Sequence, residues 1–152
     1  LFRSVRLALF ASVTLPLENF AYLPDSVGVC QAQPAQMAVA IAEYKKQNPA
    51  VYAIAVLHWG MEFAGQPTAS QRIAAHALID AGDDAVLGPP PHVVHRHALY
   101  KGKHIYYSLG NFVFDQKAPG EKALLVKLNF GKAGITATEH SIEIDKCTPM
   151  PE

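Results

Sequence analysis

Two histidines stand where an α/β sheet presents chemistry. His58 follows the apolar run 51–57 and opens His58-Trp59-Gly60-Met61-Glu62, and His92 follows Gly88 after three consecutive prolines, Pro89, Pro90 and Pro91. A continuous apolar run of this kind reads as a strand covered on both faces. Ligands of open α/β sheets collect beyond the carboxyl ends of such strands, where loops and helix starts converge. A neutral imidazole at a strand end suits zinc, manganese or iron, and the Glu62 carboxylate is placed to ligate, to orient a histidine or to carry a proton. The plainer reading of the same spacing is that each histidine caps its strand and hydrogen-bonds a loop.

The elements that must position these residues are legible as alternating periods. Residues 5–12 read as a buried strand and residues 13–34 as a connection punctuated by Pro16, Pro24 and Pro34. From Ala35, the positions Met37, Ala38, Ile41, Ala42 and Lys45 recur at helical spacing as far as Gln47, and Asn48-Pro49 stops the helix. After the strand at 51–57, Thr68-Ala69-Ser70-Gln71 forms a capping box, in which the Thr68 hydroxyl and the Gln71 side chain satisfy backbone donors at a helix start. Ile73, Ala74, Ala77, Leu78 and Ala81 supply the apolar stripe, and Gly82 supplies the stop. A third buried strand, 85–87, precedes Gly88. The spacing therefore predicts a right-handed βαβ crossover that brings the His58 and His92 loops to one sheet edge.

After His92 the period changes to hairpins: 94–100 and 104–109 about the Lys101-Gly102-Lys103 turn, then 122–130 and 135–144 about residues 131–134. The prediction is one α/β domain over 1–152, its α/β part spanning about 1–92 and its mainly antiparallel β part about 93–145.

Composition narrows the class. A chain of 152 residues, half of them apolar and 17% charged, buries about 70% of the surface its unfolded form exposes, which excludes disorder. Thirteen basic residues balance thirteen acidic ones without a block of like charge, so nucleic acid is not an expected partner. Arg3 and Arg6 before the apolar residues 7–13 imitate a signal peptide faintly, but the run is short and lacks a small-residue cleavage site. No stretch approaches the roughly 18 apolar residues of a membrane span. Cys30 and Cys147 show neither zinc-ribbon spacing nor a disulfide framework. Leu1 in place of methionine suggests a processed form, an excised domain or a fragment.

Other residues carry weaker signals. His95 and His97 are two apart on an expected strand and share a face, with His104 across the turn, so they form either a substitute metal cluster or a solvated hairpin face. Trp59 reads as packing before substrate stacking. Gly110-Asn111 reads first as a turn ending a strand, and Asp115 as a turn former.

Three segments together carry a resemblance: 57–63 with His58-Trp59-Gly60, then 78–82 followed by Val86-Leu87-Gly88, and 107–116 with Ser108-Leu109-Gly110-Asn111-Phe112. In order and spacing they are similar to the CapA family of bacterial capsule, or poly-γ-glutamate, synthesis proteins. The resemblance implies a calcineurin-like metallophosphoesterase fold, a β-sandwich flanked by helices, of which this chain matches the C-terminal half. It implies that His58 and His92 are metal ligands and that Asn111 lies near the site edge; Glu62 is the candidate proton carrier or orienter beside them, and Trp59 a further site-edge candidate. The family's Gly-Asp and Asn-His motifs of the first half have no counterpart here, and Pro90 stands where the family has the first histidine of a Gly-x-His-Pro-His loop. Proline offers no side-chain ligand, and even one catalytic zinc normally keeps three protein ligands.

The expectation is therefore a component of capsule or poly-γ-glutamate synthesis or export with a degenerate metal site. The alternative is a divalent-metal hydrolase of phosphoester or amide bonds in the full-length protein. The partners implied are the anionic polymer or its synthase complex, and the implied location is the bacterial cell surface, outside the membrane and associated with it.

Overall fold

The computed structural model describes residues 5–14, 28–89, 91–115 and 120–151. Pro90, Gln116 and most of the 13–34 connection lie outside the described residues. The elements run β1 (Leu7–Val13), α1 (Pro34–Gln47), β2 (Tyr52–His58), α2 (Ala69–Asp80), β3 (Ala85–Leu87), β4 (Ala98–Tyr100), β5 (Lys103–Tyr106), β6 (Lys122–Gly131), β7 (Gly134–Asp145) and β8 (Thr148–Pro151). They form two sheets, ordered β1-β2-β3-β5-β4 and β6-β7-β8. In the first, β1, β2, β3 and β5 are parallel and β4 closes the edge antiparallel. The second is wholly antiparallel. This is the α/β fold ending in antiparallel hairpins that the sequence periods predict.

The period-2 alternation of β2 explains the layering. Ala53, Ala55 and Leu57 share one face, and they join Val86 of β3 and Ile105 of β5 in a cluster with Met37 and Ile41 of α1 and Ala75, Leu78 and Ile79 of α2. Burying side chains of this size is the dominant favourable contribution to the fold, about 1.5–3 kcal/mol for each large aliphatic. From the other face, the Tyr52 hydroxyl donates to the Gly131 carbonyl and its ring meets Phe130 edge-on, while the Tyr106 hydroxyl donates to Glu139 of β7 at 2.8 Å. These contacts dock the second sheet on the first.

The lower end of the sheet is pinned by two consecutive aspartates. Asp84 accepts the Ala53 amide at 3.0 Å and the ammonium groups of Lys45 and Lys103, which outweigh its burial and hold its carboxyl below the ordinary range. Asp83 accepts the Ala55 amide at 3.0 Å but forms no ion pair among the described residues, and burial pushes its carboxyl up to about 8. Both sit at the start of β3, opposite the end that carries the histidines.

Three departures from the sequence reading have physical causes. The strand expected at 94–100 is β4 over only Ala98–Tyr100, because His95 turns inward, its ring bonding the Ala64 carbonyl at 2.6 Å and its amide the Ser108 carbonyl. The strand expected as far as Leu109 stops at Tyr106, leaving Leu109 in a single bridge with Val94. Finally β8, with Pro149 and Pro151, is an additional strand, which prolines tolerate because it lies at a sheet edge.

Candidate functional site

The crossover predicted from the capping box and the apolar runs does what the spacing requires. β2 and β3 are adjacent and parallel, with Ile54, Ala55 and Val56 opposite Ala85, Val86 and Leu87, so the loops after both strands open at the same edge. A backbone hydrogen bond joins them, the Phe63 amide donating to the Pro91 carbonyl at 2.8 Å. Phe63 and His92 both adopt left-handed backbone, at φ 56° and 64°. For residues other than glycine this conformation is uncommon and persists where surrounding contacts enforce it.

Those contacts fix the His92 ring. It lies between the rings of Phe63 and Phe114, at centroid distances of 5.7 and 5.4 Å. Its Nδ1 is 2.7 Å from Asn111 Oδ1. The Asn111 amide nitrogen donates to the Gly120 carbonyl at 3.0 Å, which presents Oδ1 to the imidazole as an acceptor. His92 must therefore carry its proton on Nδ1, leaving Nε2 with the lone pair. Nε2 stands 3.8 Å from Glu62 Oε1, too far for a direct hydrogen bond and close enough for charge attraction when the ring is protonated.

His58, the last residue of β2, has an exposed side chain beside a depression of about 300 Å³ shared with Cys30, Val56 and Pro89. Partial burial lowers its pKa, and the neighbouring His92 lowers it further, so the two imidazoles sense each other and His58 favours the neutral form. Trp59 points inward, its indole N–H donating to the Tyr107 carbonyl at 3.1 Å. The bond is possible because residue 88 is glycine: a Cβ there would lie 2.3 Å from both the indole nitrogen and the Tyr107 oxygen.

The structure thus gathers His58, Glu62, His92 and Asn111 at one edge, with Trp59 buried beneath. The His95, His97 and His104 cluster does not form as a unit. His95 serves the Ala64 carbonyl, while His97 and His104 pair with each other through ring nitrogens 3.0 Å apart, His97 facing Glu139. Sequence reasoning missed Phe63, Phe114 and the Gly120 carbonyl. The two phenylalanines flank motif residues and were findable by proximity, whereas a backbone carbonyl leaves no trace in residue type.

The donor chemistry suits a divalent cation, since one imidazole has its outward lone pair free and the other is biased to neutrality. Among the described residues, no three His, Cys, Asp or Glu side chains are grouped so as to hold a metal.

The bacterial capsule synthesis protein family PGA_cap matches residues 11–116, and the chain belongs to that family. Among individual relatives, it is similar to the PGA biosynthesis protein CapA of Bacillus subtilis, with 38% identity over 136 residues, covering 88% of this chain and 35% of that protein. It is also 43% identical over 75 residues to the capsule biosynthesis protein CapA of Bacillus anthracis, covering 49% of this chain and 18% of the relative. A probable polyglutamine synthesis accessory protein of Mycobacterium tuberculosis is 40% identical over 75 residues, covering 49% of this chain and 20% of its own length. The chain therefore spans about a third or less of the length of these curated relatives.

Proposed function

We propose that this chain is part of a cell-envelope component of capsule or poly-γ-glutamate synthesis or export, built on a metallophosphoesterase-type fold whose metal site is degenerate. The crevice around His58, Glu62 and His92 then serves as a contact surface for the anionic polymer or the machinery that makes it. Family membership and the relatives' names support the process. The observation that carries the degenerate reading is the donor set: among the described residues, two imidazoles and one carboxylate share an edge without forming a three-ligand metal group, with proline at position 90. No described helix is long and apolar enough to cross a membrane.

A second reading is favoured by one specific feature, the Asn111 bond that leaves His92 Nε2 as an outward lone pair in the manner of a metal-ligating histidine. In that reading, ligands from elsewhere in the protein complete a divalent site, which would supply Lewis acidity and an activated water for hydrolysis of a phosphoester or amide.

One experiment separates the two. Purified protein is stripped with chelator, reloaded with manganese or zinc, and assayed for binding of fluorescent poly-γ-glutamate and for hydrolysis of a phosphodiester and of the polymer. The degenerate reading expects polymer binding that survives chelation and no metal-dependent turnover. Turnover restored by metal and abolished by His58→Ala and His92→Ala would overturn it.

A further inference from the structure

Beside the histidine crevice lies a second concavity of about 520 Å³, formed where the first turns of α1 and α2 meet the Trp59-Gly60-Met61 loop. Helix starts present backbone N–H groups with no carbonyl one turn earlier to accept them, and they carry a partial positive charge. Acidic residues usually balance such ends. Here neither first turn contains one, and no acidic side chain lines the cleft among the described residues.

A second and independent feature points to a ligand. Gln71 lines this cleft, is only 4% exposed, and its two side-chain ends behave differently. Its Oε1 accepts the Thr68 amide at 3.0 Å, closing the capping box, which fixes which end of the amide is oxygen. Nε2 is buried and has no hydrogen-bond partner among the described residues. A buried donor left unmade costs about 1–3 kcal/mol, so its persistence calls for an acceptor. The nitrogen faces Gly60, which also lines the cleft and has φ +100°; a Cβ there would stand 2.7 Å from Nε2. Glycine at residue 60 leaves room for this buried donor, since any side chain there would press against it.

We propose that this cleft is a subsite for a carboxylate of a glutamyl chain, with Gln71 Nε2 as its buried donor and the first turn of α2, at Ala69 and Ser70, as its source of positive potential. The assignment of the ligand as a glutamyl carboxylate rests on the poly-γ-glutamate reading above. The cleft shares Trp59 to Met61 with the loop that carries His58 and Glu62, so a chain held here would run on into the histidine crevice. The donors are neutral, which suits repeated, readily reversible contacts along a polyanion better than a single tight ion pair.

The test uses protein labelled with ¹⁵N at glutamine side chains and titrated with a short γ-linked glutamate oligomer, its methyl ester, and inorganic phosphate, while polarisation of a fluorescent oligomer reports total binding. The expected result is a saturable shift of the Gln71 side-chain amide with the oligomer and none with the neutral ester. Gln71→Glu should lower oligomer affinity about tenfold or more, the scale of one hydrogen bond to a charged group. Glu keeps the oxygen that accepts the Thr68 amide and is a favoured residue at this capping position, so the helix start is preserved. Should that variant fold poorly, the ester comparison on unmutated protein decides the matter. Oligomer binding without movement of the Gln71 amide, or movement with phosphate alone, overturns the subsite and leaves the polymer reading standing. No oligomer binding at all overturns both.

Discussion

His92 donates from Nδ1 to Asn111 Oδ1 across 2.7 Å, and Asn111 is itself held by the Gly120 carbonyl, so the tautomer of a ring at the end of one strand is set by a backbone atom beyond the hairpin. Replacing Asn111 with Leu should release this control. Ring ¹⁵N shifts should show His92 predominantly protonated on Nδ1 in the native protein and mixed between the two nitrogens in Asn111→Leu. Unchanged shifts would show that another contact sets the tautomer.

Gly88 is predicted to be intolerant of any side chain. Alanine there would drive its Cβ into the Trp59 indole nitrogen and the Tyr107 carbonyl, both of which are buried. Overpacking together with a broken buried hydrogen bond should cost about 3 kcal/mol or more, read as a lowered denaturation midpoint. A loss below about 1 kcal/mol would mean that the loop moves aside easily.

Asp83 should impose a slope on stability. Burial first, and Asp84 as a like charge, raise its carboxyl in the folded state from 3.8 to about 8, so between those values the folded protein holds a proton that the unfolded chain has released. The stabilisation is complete below the unfolded value and fades as pH rises towards and through 8, at no more than about 1.4 kcal/mol per pH unit. Asp83→Asn should flatten the slope between pH 5 and 8 in urea unfolding. An equally steep slope in the variant would assign it to other groups.

His58 runs the other way. Its folded pKa lies below 6.5, through burial and then His92, so its contribution to stability is present above 6.5 and is lost as pH falls through the lowered value. In His92→Ala, the His58 titration followed by NMR should move up towards 6.5 but stop short of it, because burial is the larger cause. A midpoint that stays put would show that the two rings do not communicate.

The frame of the site was readable because it rests on local patterns. The apolar run ending at His58 and the Thr68 to Gln71 capping box specify a strand and a helix start directly, and their crossover places His58 and His92 together. What was not readable depends on contacts made across the fold. Nothing in residue types announces that His92 takes a left-handed backbone, that Phe63 and Phe114 enclose it, or that His95 turns inward to Ala64. Asp83 and Asp84 look in sequence like turn residues after Gly82, and only the register of β2 against β3 shows them accepting amides from the central strand. The unpaired end of Gln71 is likewise invisible in the capping motif that predicts its other end.

The hydrogen bond from Phe63 to Pro91 links two loops separated in the chain by all of α2 and β3. Such a link closes a long loop, so it forms only after helix and strand have docked and repaid the entropy of bringing its ends together. The expected consequence is that the chemistry-bearing edge assembles late and opens locally while the strands beneath stay paired. Amide hydrogen exchange at Phe63 then becomes a one-residue gauge of whether the two histidine loops are joined.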